Sequence, residues 1–206
     1  MTVAMRIGGV STTLALLVAM LGAVGCELLE SRAPTQEAVV PAAPPLPDDD
    51  DRLAWAESEP WFVVVRKSCR TLDVYQRGQR VESFPAVFGQ GGSGRKLHEG
   101  DRKTPLGLYA IVDKRPHARW QEFLLLDYPN LEDMHRYRLA MESDRLPRQG
   151  DRYAGIGGLV GIHGTDKPEM NRRDRDWTWG CISLGRDDIR RLSRLVPLGT
   201  PVLIVD

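Results

Sequence analysis

Apolar and polar positions divide the chain into three stretches. Residues 7–25 form one nearly unbroken apolar run, residues 27–60 are rich in proline and acid, and short apolar runs separated by turn residues begin at Trp61. In this last stretch the β-branched segment Trp61 to Arg66 (WFVVVR) predicts a strand. Thr71 to Tyr75 predicts a second, Arg77-Gly78 a turn, and Gln79 to Val87 a third strand, making a meander. Gly107 to Val112, Phe123 to Leu126 and Val202 to Val205 are further strands. Asp187 to Val196 repeats Ile189, Leu192 and Leu195 at helical spacing and ends at Gly199-Thr200-Pro201, which predicts a helix. The charge-rich segment Leu131 to Arg152 shows no such period and is expected to be a lid or substrate flank. The domain beginning at residue 61 is therefore expected to be mainly β, with one or two short helices.

The amino-terminal apolar run is near the lower limit for a membrane span and is interrupted by Ser11, Thr12 and Thr13, which weakens a membrane-anchor reading. With Arg6 ahead of it and small residues behind, it predicts a signal peptide over residues 1–25. The ending Ala23-Val24-Gly25-Cys26 resembles the lipobox of bacterial lipoproteins, with Ala23 where Leu is more usual. That resemblance implies lipidation at Cys26 and attachment to the periplasmic face of a membrane, the outer one in a Gram-negative host. Residues 26–60 hold six of the 14 prolines and the run Asp48 to Asp51, the composition of a semi-extended tether.

Composition sharpens this division. The 206 residues carry 28 Lys+Arg and 28 Asp+Glu, a net charge of zero that argues against a nucleic-acid partner. The zero hides two opposite halves: residues 27–60 hold nine acids and two bases (−7), and residues 61–206 hold 19 acids and 25 bases (+6). A basic domain behind an acidic tether suits an anionic polymer or headgroup surface, although +6 is also an ordinary solubility charge.

Two segments carry candidate chemistry, Ile162-His163-Gly164-Thr165 and Asp176-Trp177-Thr178-Trp179-Gly180-Cys181-Ile182-Ser183-Leu184. A cysteine nucleophile needs a neighbouring base, and histidine supplies one near neutral pH. Gly180 leaves room for a carbonyl and frees nearby amides to face an oxyanion. Other readings of the same residues are a core thiol, a Cys69–Cys181 disulfide or, less well supported by spacing, a zinc site. The loop Gly89 to Gly94 lacks the ending of a phosphate cradle.

The segments IHGT and TWGCISL resemble the signature of the L,D-transpeptidase catalytic domain (YkuD-like) family. Glu99 to Tyr109 (EGDRKTPLGLY), Tyr128-Pro129-Asn130 and the closing GTPVLIV resemble further elements of that family, so the likeness spans Trp61 to Asp206. The resemblance implies a β-sandwich or barrel, with Cys181 as nucleophile and His163 as base. It implies an oxyanion hole at Gly180 and Cys181, support from Thr178 and Gly164, and His163 oriented by a backbone carbonyl rather than by Asp166. The substrate implied is a peptidoglycan stem peptide, with neither cofactor nor metal. Trp177, Trp179, Thr165 and Ser183 are candidates for the substrate groove. Two departures stand out: Trp179 precedes Gly-Cys where many members have a second histidine, and Ser183 stands where many have Arg or Asn. Arg172, Arg173, Arg175 and Arg186 are candidates to replace that arginine. His98, His117 and His135 have no partner pattern and are expected on the surface or in loops. The function expected is transpeptidation through a thioester. Hydrolysis or carboxypeptidase action at the same site, and non-catalytic wall binding, are the alternatives.

Overall fold

A computed structural model describes residues 58–206. The signal peptide over residues 1–25, the lipidation site Cys26 and nearly all of the tether over 26–60 lie outside the described residues. Ten strands and three helices follow. β1 (Trp61–Arg66), β2 (Thr71–Gln76) and β3 (Gln79–Pro85) form the expected meander. β4 (Gly107–His117) and β5 (Gln121–Leu126) form a hairpin, and β8 (Gly161–His163), β9 (Ile182–Ser183) and β10 (Pro201–Val205) complete the large sheet. Its order is β3-β2-β1-β10-β4-β5-β8-β9. β6 (Arg148–Gln149) and β7 (Arg152–Tyr153) make a separate two-residue ladder.

The sheet curls back on itself. Val87, just past β3 at one end, exchanges backbone hydrogen bonds with Ser183 of β9 at the other (3.0 and 2.8 Å). A register shift between Ile111 and Asp113 bends the long β4, which belongs to both halves of the curl. β1 is apolar at successive positions because both its faces are covered. Val63 and Val65 enter the main core, while Phe62 and Val64 join Leu203 on the opposite face. Helix α3 (Arg186–Leu195) fills the inside of the curl with Ile189 and Leu192, the positions that predicted it.

The segment expected as a lid or substrate flank begins with helix α1 (Leu131–Glu142). Asn130 caps it: its side chain accepts the amides of Glu132 and Asp133 (3.0 and 3.2 Å), and the Asp133 carboxylate accepts the Asn130 amide (3.2 Å). Asp133 also accepts the Tyr109 hydroxyl (3.1 Å). Of the helix residues only Asp133 and Ala140 are buried, so no apolar stripe marks it in the sequence. Helix α2 (Pro168–Arg172) is a single short turn after β8.

The core predicts a large-to-small penalty at the β8–β9 junction. Ile182→Ala should lower unfolding free energy by roughly 2–5 kcal/mol in urea titration, the usual cost of a cavity at a fully buried isoleucine.

Candidate active site

β8 and β9 pair in parallel, with Ile162 opposite Ile182 and His163 opposite Ser183. Both isoleucines are completely buried in the main core. Strand side chains alternate between faces, so His163 and Cys181, the neighbours of that pair, project away from the core on its other side. The 18-residue sequence gap closes because β8 carries His163 and Cys181 immediately precedes its partner β9.

His163 is held from several sides. Its Nδ1–H donates to the Gly164 carbonyl (2.6 Å), which leaves Nε2 as the acceptor. Gly164 has to be glycine, because a Cβ there would stand 2.3 Å from the Trp120 carbonyl, and the Gly164 amide donates to that same oxygen (3.0 Å). The imidazole stacks on Trp120 with ring centroids 4.2 Å apart and meets Trp177 edge-on at 5.8 Å. Burial among these rings pushes its pKa down to about 4, against the smaller upward pull of the Gly164 carbonyl. His163 is a neutral imidazole at neutral pH. As the resemblance implied, a backbone carbonyl orients it. Asp166 instead accepts the Trp120 indole N–H (3.2 Å) and pairs with Arg119.

Cys181 is half-buried, with its sulfur facing the Leu159 carbonyl at 3.7 Å. Burial pushes the thiol pKa up, while the Gly161 amide and the charge of Lys96 pull it back. The resting pair is therefore a thiol and a neutral imidazole. Cys69, in the turn after β1, is exposed, and both cysteines are free thiols.

The loop before Cys181 is tied by Thr178, whose hydroxyl donates to the Cys181 carbonyl (2.6 Å) and accepts the Gly180 amide (3.2 Å). This hydroxyl supports the loop as expected, but it engages the Gly180 amide expected in the oxyanion hole. Gly180 has φ +137, and a Cβ on it would meet the Lys103 carbonyl at 2.9 Å.

Two cavities meet at Cys181. One, of about 330 Å³, is lined by Lys96, Glu99, Arg102, Leu159 and Gly180. The other, of about 350 Å³, is lined by Arg119, Trp120, His163, Lys167 and Trp177. Trp179 borders both cavities and is 78% exposed. Arg102 lies over its ring at 5.9 Å. Trp177 is mostly buried, its indole N–H donating to Asn171 (3.0 Å), and it shows the second cavity only part of its ring.

Two groove candidates fall outside. Ser183 is 0% exposed, because Asn171 of α2 covers it and donates to its carbonyl (3.1 Å). Thr165 is 1% exposed, its hydroxyl accepting the Lys167 amide (2.8 Å). Neither lines a cavity with Cys181. The four arginines offered as substitutes also point elsewhere. Arg172 and Arg173 pair with Glu169, and Arg186 donates to the Thr165 carbonyl (3.1 Å). Arg175 lines neither cavity. The cations beside Cys181 are Lys96, Arg102, Arg119 and Lys167. Sequence reading missed them, although Lys96 and Arg102 border or lie within the EGDRKTP segment that carried part of the resemblance. Among the described residues no group of three or more His, Cys, Asp or Glu is arranged to hold a metal ion.

Residues 59–204 match the L,D-transpeptidase catalytic domain family (YkuD). An Escherichia coli (strain K12) protein provisionally named the L,D-transpeptidase YafK is 30% identical over 80 residues, 36% of this chain and 32% of that protein. The chain thus aligns with about a third of that relative's length. The crystal structure of the helical cell shape determining protein Pgp2 from Campylobacter jejuni superposes with a TM-score of 0.53 at 21% identity, covering 76% of this chain and 55% of Pgp2. Bd1075 from Bdellovibrio bacteriovorus gives 0.49 at 23% identity, covering 72% of this chain and 48% of that one. The Pgp2 likeness establishes a shared mainly β fold.

The depressed pKa of His163 makes stability pH-dependent. Unfolding returns the ring to its ordinary value near 6.5, so between about pH 6.5 and 4 the unfolded chain binds the extra proton. The contribution of this group, on the order of 3 kcal/mol, is intact above pH 6.5 and lost as pH falls through that window. Urea titrations at pH 7 and pH 4.5 should show the loss in wild type and a much smaller one in His163→Gln.

Proposed function

The chain belongs to the L,D-transpeptidase catalytic domain family over residues 59–204, and from that membership we propose that Cys181 and His163 carry out acyl transfer on peptidoglycan stem peptides. The observation that carries this reading is the pairing of β8 with β9, which sets a thiol and an oriented neutral imidazole on one face and opens Cys181 to two cavities.

The chemistry follows from the resting charges. As Sγ attacks the carbonyl of the scissile peptide bond, the S–C bond forms and His163 Nε2 takes the thiol proton. The tetrahedral intermediate collapses, the C–N bond breaks, and the leaving amine takes that proton from His163. A thioester remains on Cys181. An acceptor amine then gives up a proton to Nε2 and attacks the thioester. Cys181 leaves as the thiol, and a new peptide bond has formed. Thr178 holds the Cys181 carbonyl and the Gly180 amide fixed through these steps. Two cavities meeting at the sulfur give donor and acceptor separate approaches, which favours transfer. Water in place of the amine would give hydrolysis from the same thioester. The +6 domain suits the carboxylate-bearing wall, and the amino-terminal address would place it on the periplasmic side, lipid-anchored through Cys26.

Purified stem tetrapeptides incubated with the full chain test this reading. Cross-linked dimers are the expected product, and shortened monomers would replace transfer by hydrolysis. Cys181→Ala should lose on the order of 10³-fold or more in either product while its circular dichroism is unchanged. Full turnover in that variant would sink the proposal, and no turnover in either chain would leave the domain a wall-binding module.

A further inference from the structure

One more buried charge faces Cys181. Lys96, in the loop between β3 and β4, has a side chain only 5% exposed. Its ammonium donates to Asp101 (2.6 Å) and to the His98 carbonyl (3.0 Å), which uses two of its three N–H bonds. Asp101 is itself fixed by the amides of Leu97 (2.8 Å), His98 (3.3 Å) and Lys103 (3.0 Å). Burial alone would raise the Asp101 pKa, but the Lys96 hydrogen bond and the amides of Lys103 and Leu97 hold the carboxyl below its ordinary range. The Asp101 carboxylate is therefore ionised and held in place beside the Lys96 nitrogen.

Its position is unusual for a purely structural ion pair. Lys96 Nζ stands 3.9 Å from the point a Cβ on Gly180 would occupy, so the backbone leading into Cys181 lies over the ammonium. Lys96, Gly180 and Cys181 line the same cavity. The other charged groups around the sulfur are differently placed. Glu99 and Arg102 share that cavity, and Arg102 extends over Trp179 toward Gln90. Across Cys181, Arg119 is paired with Asp166, Lys167 lies over Trp177, and His163 is neutral. Lys96 alone among these cations is almost wholly removed from water, where its field is least screened.

We propose that Lys96 is the fixed cation that favours negative charge on the Cys181 sulfur as the thiol proton departs to His163. The inference rests on the reading of Cys181 as the nucleophile, and it gives the site an electrostatic residue outside the Cys–His pair. In this arrangement Asp101 sets the position of the ammonium, and the neutral imidazole receives the proton. The positive charge beside the sulfur comes from the loop before β4. Lys96 acts through charge, so arginine should replace it and an isosteric neutral side chain should not.

The test is iodoacetamide alkylation of the full chain as a function of pH, read by mass spectrometry on the peptide carrying Cys181, which separates it from Cys69. Lys96→Met should slow alkylation of Cys181 at pH 7 on the order of tenfold and move the midpoint upward. Lys96→Arg should keep both near wild type. An unchanged midpoint in folded Lys96→Met, or an equal loss in folded Lys96→Arg, would overturn the proposal. Should Lys96→Met fail to fold, the 13C resonance of Lys96 Cε in the native side-chain background decides it. That resonance should titrate in step with Cys181 and lose the step in Cys181→Ala, and a flat response would overturn the proposal equally. Alkylation needs no peptidoglycan substrate, so its outcome is independent of whether stem peptides are turned over.

Discussion

The parallel contact between β8 and β9 is the constraint on which the site depends. Ile162 and Ile182 sit opposite each other and are both sealed in the core. That single pairing fixes which way every neighbouring side chain points. His163 and Cys181 share the opposite face because the isoleucines are turned into the core, and a one-residue slip would turn the histidine and the thiol into that core instead. The glycines nearby serve the same closeness. A Cβ on Gly161 would lie 2.5 Å from the Leu124 carbonyl, so β8 approaches β5 only without one. Closure of the curled sheet through Val87 and Ser183 then anchors β9 from its other edge. Fold and site are thus coupled: the buried face that stabilises the sheet also aligns the reactive face.

Electrostatics follow from that burial. Aromatic rings around His163 remove it from water and keep it neutral, and the same seclusion keeps the Cys181 thiol protonated. The Cys181 thiol and the His163 imidazole are thus both uncharged at rest. In the proposed reaction the proton moves when the sulfur attacks, so the preorganised groups that receive the resulting charge matter more than any resting thiolate. The Gly164 carbonyl fixes the acceptor nitrogen, and the Gly161 amide and Lys96 lie on the sulfur side. The indole of Trp179, open to solvent between two cavities, stands where many relatives by resemblance carry a further histidine, and it contributes surface rather than charge.

Much of this was legible in the sequence, and the exceptions have physical causes. β1 is observed over its expected residues, because a strand covered on both faces leaves a continuous β-branched run. α3 was visible through Ile189 and Leu192, which face the core one turn apart. α1 was not, because its stability comes from the Asn130 cap and from Asp133 rather than from an apolar stripe. β8 and β9, three and two residues long, are too short for any period to register. The Cys–His pair was readable as a motif, and its resting protonation was not, since that depends on which rings surround it. Ser183 shares the face of His163 but is sealed by Asn171, and Thr165 is buried with its hydroxyl on the Lys167 amide, covering that adjacency to a motif does not reveal. Lys96 passed unnoticed because only the fold brings the loop before β4 under Gly180.

The central claim is that Cys181 takes an acyl group from a stem peptide with His163 as the base. Its most direct measurement is the mass of the Cys181 peptide after a tetrapeptide stem is mixed with the full chain and quenched in acid during turnover. The account predicts an adduct on Cys181 equal to the stem less its leaving amino acid, absent in Cys181→Ala and strongly reduced in His163→Gln. Product formation with Cys181 unmodified throughout, or an adduct that forms equally well in His163→Gln, would contradict it.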